Sequence, residues 1–150
     1  MASREIIEAI TAYVQTALPT LAFVANRNYA EAVKPPNDVD EFMSARFPGT
    51  ARVRGEVGGD PLAEQNAYFE DGAFRIDLFV RINSKMTPGA ANQDRLHALR
   101  EDIVTAFLGK TISNIEIFRV ATGLDVPAGA PQGWWAESIS CGFHYEHFGP

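Results

Sequence analysis

The chain ends in GWWAESISCGFHYEHFGP, where the residues that most often do chemistry crowd together. Its only cysteine, Cys141, and two of its three histidines, His144 and His147, fall within seven residues, with Glu146 between the histidines. Thiolate, imidazole and carboxylate are the ligands of a zinc site, and a thiolate activated by an imidazole is a nucleophile. Either chemistry requires these side chains to converge. The stretch is aromatic and free of proline from Trp134 to Phe148, which predicts a strand. Strand side chains alternate between faces. Trp135, Ile139, Cys141, Phe143 and Tyr145 then share one face, and Ala136, Ser138, Ser140, Gly142, His144 and Glu146 the other. Cys141 diverges from His144, and His144 from His147, so these groups cannot grip one ion. The reading is a core cysteine backed by a polar face, with no metal, no cofactor and no catalytic thiol.

Other candidates for chemistry give little. GEVGGDP lacks the spacing and the Lys-Ser/Thr ending of a phosphate loop, and no G-x-S-x-G elbow occurs. Asp94, His97 and Glu101 share helical spacing, which a solvated helix face explains as well as a site does. Glu70 and Asp71 adjoin Gly72 in what reads as a turn, where paired acids are solvated charges. Trp134-Trp135 is more informative, because alternation sends one indole inward and one outward. An exposed tryptophan beside a Pro/Gly loop suits an interface anchor, and one covered by that loop does not. Phe79 poses the same question as a large apolar group on a polar strand face, and Tyr68 and Phe69 lie close to it in sequence. Several such groups without a catalytic constellation favour assembly over catalysis.

The elements that must position these residues follow from periodicity. The chain has 150 residues, 46% hydrophobic, enough for one domain with its own core. No apolar run approaches a membrane span, and MASREIIEAI lacks the features of a signal peptide. A single cysteine forms no internal disulfide, so the expected compartment of folding is the cytoplasm. Net charge −6 disfavours a protein that grips phosphates, though not one past which nucleic acid slides. Ser3 to Leu18 predicts an amphipathic helix capped by Ser3 and stopped by Pro19, and Ala91 to Leu108 a second, with Leu96, Leu99, Ile103, Val104 and Phe107 as its stripe. Leu21 to Asn26, IEIFRVAT and the closing stretch predict strands, and Glu41 to Phe47 a strand or a short helix. FRIDLFVRIN is the clearest of them. Phe74, Ile76, Leu78, Val80 and Ile82 point one way, and the opposite face is expected to be largely wet. Thr50 to Ala73 reads as a long arm, either a loop or an extended hairpin. The fold class expected is α+β: one sheet of about five or six strands, mostly antiparallel or mixed, with two helices on one face.

Several phrases and their order resemble the tail terminator-like proteins of long-tailed bacteriophages. They are FVANRNYAEAVKPP, EFMSARFPG, GAFRIDLFVRI, DRLHALREDIVTAFLGKTI and GWWAESISCGFHYEHF, and together they span most of the chain. The resemblance implies a virion subunit at the head–tail junction, assembled in the host cytoplasm. Such subunits form a ring, commonly hexameric, that caps the tail tube, meets connector or stopper proteins and lets DNA through its lumen. It implies no catalytic residues. On that reading Tyr68, Phe69, Phe79, Trp134, Arg52 and Arg54 are candidates for subunit interfaces, and Asp60, Glu64, Glu70 and Asp71 for the channel wall. The competing reading is a small-ligand or enzymatic domain of ferredoxin-like or α+β barrel type, which requires polar groups converging in a pocket.

Overall fold

The structure, a computed structural model, describes residues 4–25, 33–48, 51–55, 67–82, 90–126 and 129–148. Apolar residues at four-residue steps give α1 (Arg4–Ala17) a buried stripe of Ile6, Ile10 and Val14. Pro19, which cannot continue a helix, follows its end. In α2 (Ala90–Phe107) the stripe is Leu96, Leu99, Ile103 and Phe107. Gly109 then takes φ +70°, the left-handed conformation that a helix C-terminus favours and a side chain resists.

The strands are β1 (Ala22–Ala25), β2 (Glu41–Arg46), β3 (Ala51–Gly55), β4 (Ala67–Arg81), β5 (Thr111–Ile112), β6 (Ile115–Leu124) and β7 (Trp134–Phe148). Six lie along one path, β1-β2-β4-β7-β6-β5, and β3 joins as a seventh beside β4. β1 runs parallel to β2 and the other pairs are antiparallel, so the sheet is mixed. β2 and β3 occupy the same edge of β4, β2 against Arg75–Val80 and β3 against Ala67–Asp71. The region expected to be a loop or a hairpin is therefore a hairpin where it is described. Ser113 and Asn114, both at positive φ, make the two-residue turn from β5 to β6, the geometry that matches strand twist.

Both helices lie on one face of the sheet. Ile6, Ile10 and Val14 of α1 and Leu96, Leu99, Ile103 and Phe107 of α2 pack with Phe74, Ile76, Leu78, Val80, Ile139, Cys141 and Phe143. Alternation placed the β4 residues correctly as far as Val80. Ile82 departs from the expectation: β4 ends at Arg81, and Ile82 stands exposed at its end. Glu70 and Asp71 are not in a turn either. Gly72 sits mid-strand opposite Phe143, and the ladder with β7 continues through it to Ala67.

Candidate functional site

The face of the sheet away from the helices carries the polar residues, and it is less wet than alternation suggests. At one end Phe42 stacks on Phe79, with ring centroids 4.4 Å apart, and meets Trp134 edge-on at 5.0 Å. Val33 and Val126 complete this second apolar cluster. Arg81 lies 4.6 Å from the Trp134 ring centre, a cation–π contact. Phe79 is fully buried and Trp134 nearly so: of the two states the sequence left open, exposed anchor or covered ring, both take the covered one and neither is free to serve as the interface residue it was a candidate for. The cause is the segments flanking β2 and β7: Val33 and Val126 lie in irregular chain that periodicity does not read. Trp135 is the exposed indole of the pair, at 40%.

Next along this face lies a buried polar row. Asp77 stands between Ser44 of β2 and Ser138 of β7 in register, and all three are closed to solvent. The Arg46 side chain, also fully buried, makes an ion pair with Asp77 through Nε. Burial pushes the Asp77 carboxyl above its ordinary value, while Arg46, Ser138 and Arg75 pull it back. Nothing in the spacing along the chain singles out Arg46 at the end of β2. The signal that could have found it is the pairing of β2 with β4, which brings a cation beside the one acid of the FRIDLFV strand.

Toward the far end of β7 the row is Asp71, His144 and Glu116, on β4, β7 and β6 in register. Asp71 and the His144 Nδ1 are directly paired at the surface. Cys141 points into the helix-side core, as the alternation required, and burial pushes its thiol up to about 12. A thiol held neutral at physiological pH is a poor nucleophile and a poor ligand. Among the described residues no group of three His, Cys, Asp or Glu is arranged to hold a metal ion.

Of the remaining expected site residues, Asp60 and Glu64 lie outside the described residues. Arg52, Arg54, Tyr68 and Phe69 are placed by backbone alone, Arg54 opposite Tyr68 and Val53 opposite Phe69 in the β3–β4 pair. Glu70 is buried at 1% exposure on the helix-covered side, opposite Tyr145, and so does not face a lumen within this chain. Asp71, with its side chain 52% exposed, does reach solvent. Among the described residues no helix is long and apolar enough to cross a membrane.

No family model matches the chain, and no curated protein does. Among solved structures, one similar chain comes from "Virion of native gene transfer agent (GTA) particle", with 13% identity over 95% of this chain and 93% of that one, at a TM-score of 0.43. A likeness this distant carries no functional argument.

Proposed function

We propose that this chain is a virion structural protein of tail terminator-like type, whose copies close into a ring on the upper end of a tail tube. The observation that carries the reading is the β4–β7 ladder. Each strand has 15 residues and the two pair throughout. At roughly 3.3 Å per residue that is about 50 Å of continuous pairing, far longer than core strands usually run. β3 lies along its Ala67–Asp71 end, and beyond the last β6 pair at Tyr145 the three strands β3, β4 and β7 run on for the pairs Phe69–Glu146, Tyr68–His147 and Ala67–Phe148. A stiff extension of that kind suits a subunit that must reach a neighbour or the tube below. The enzymatic alternative lacks comparable support, since the buried cluster of Ser44, Arg46, Asp77 and Ser138 is closed to a substrate.

On this reading the partners are further copies of the chain, the tail tube protein and the connector or stopper proteins above, at the head–tail junction. The ring is a hexamer and needs no cofactor. DNA crosses the lumen without specific contacts. The balance of −6 suits such a channel, because carboxylates repel phosphate whereas a basic lumen would hold it. Asp71 is the described acid retained for that wall.

The test is assembly. The purified chain, alone and added to tail tubes, should form rings visible by electron microscopy. Deleting Gly58 to Asn66 at the arm should weaken ring formation or tube docking and leave the subunit folded by circular dichroism. Normal rings that cap tubes normally after that deletion would remove the arm from the account.

A further inference from the structure

The ring reading leaves open which two surfaces meet, and the charge distribution over the two faces answers this. α2 draws its bases inward. Arg95 makes a two-pronged contact with Glu41, 2.8 Å for each bond, and Arg100 reaches Glu137 at 3.1 Å. The outward face of the helix is left with exposed Asp94, Glu101 and Asp102, beside His97, Ala98 and Thr105. Leu108, just past its end, is 53% exposed.

On the opposite side of the sheet an exposed aromatic is flanked by two arginines inside a border of acids. A bulge in β6 sets both Phe118 and Arg119 against Gly142 of β7. The Phe118 ring lies 3.1 Å from where a Cβ on Gly142 would stand, so a side chain there would push the ring outward by a few tenths of an ångström. The other side of the ring is open, and at 59% exposure Phe118 leads the large apolar residues described. Arg119 is exposed beside it, and Arg75 of β4, on the same face, donates to the Asp125 carbonyl at 3.3 Å. Asp71, Glu116 and Asp125 border the patch, so an acidic partner must approach over Phe118 and Arg119.

Resting on the ring reading above, we propose that the acidic outward face of α2 in one copy docks on the Phe118–Arg119–Arg75 patch of the next copy. The two surfaces lie on opposite sides of one sheet, so each copy offers one of each. That is a heterologous contact, which closes into a ring when the rotation between copies allows. An aromatic flanked by arginines is the composition of an interface hot spot, and complementary charge fixes orientation and register.

Charge reversal tests this directly. One variant carries Arg75→Gln and Arg119→Glu, the other Asp94→Arg and Glu101→Arg. All four positions reach solvent, and denaturant melts are to check that both variants fold. Each alone should associate at least about tenfold more weakly than the parent by native mass spectrometry. Mixed in equal amounts they should recover rings of alternating subunits, because each acidic face again meets a basic one. If either variant alone forms parental rings, or if the mixture stays monomeric, the assignment of faces is wrong and the ring reading stands. If the parent chain itself never forms rings, the ring reading has failed and this inference with it.

Discussion

Removing the Asp77 carboxylate is the sharpest test of the sheet's outer face. Asp77 and Arg46 are both fully buried as side chains, so Asp77→Ala takes from the guanidinium its buried carboxylate partner. Breaking a buried pair from one side costs about 3–5 kcal/mol, a large part of the 5–15 kcal/mol that typically holds a domain together. Replacing both members, as Arg46→Met with Asp77→Leu, removes both desolvation costs along with the attraction. That double variant should lie within about 2 kcal/mol of the parent or exceed it. Urea melts at neutral pH measure both, with the slope checked for two-state behaviour. The pH dependence has a definite sign. Burial raises the folded Asp77 value above the ordinary 3.8, so the folded state binds this proton more readily than the unfolded state. The contribution is fully present below the ordinary value and lost as pH rises through the raised one. Relative to the double variant, the parent should therefore gain stability as pH falls through that window. A cost below about 1 kcal/mol for Asp77→Ala would mean the pair is solvated and the outer face open.

Phe79→Ala should cost about 3–5 kcal/mol in the same melts, because Phe79 packs within the chain; a stable variant defective only in assembly would instead make it an interface residue. Leu78→Ala, on the helix-covered side, should cost about 2–5 kcal/mol, and a loss well under 1 kcal/mol would mean the strand faces are reversed. Cys141 should resist a thiol reagent at pH 8 in the folded protein and react once it is denatured, since burial holds the thiol neutral; rapid native labelling would contradict its placement.

What the sequence made legible was periodic. Alternation from Phe74 to Val80, broken only by Phe79, and from Ile139 to Tyr145 fixed which face meets the helices, and with it the separation of Cys141 from His144. The stripes Ile6-Ile10-Val14 and Leu99-Ile103-Phe107 fixed how the helices lie. What alternation could not show was cover supplied by irregular chain. Val33 and Val126 carry no period, yet they close over Phe42, Phe79 and Trp134 and turn an expected surface into interior. Pairing was equally hidden. Glu70-Asp71-Gly72 has turn composition, but β3 and β7 on either side hold it extended. The Arg46–Asp77 pair and the Asp71–His144–Glu116 row exist only because the register brings those strands together, and neither is written in the spacing along the chain.

Ring assembly can be read from native mass spectrometry of the chain across a range of concentrations, and of the intact particle. The expected species is a closed oligomer at a single whole-number multiple of the 16.4 kDa chain mass, sixfold if the ring is a hexamer. A species at the chain mass alone, in solution and in the particle, would contradict it.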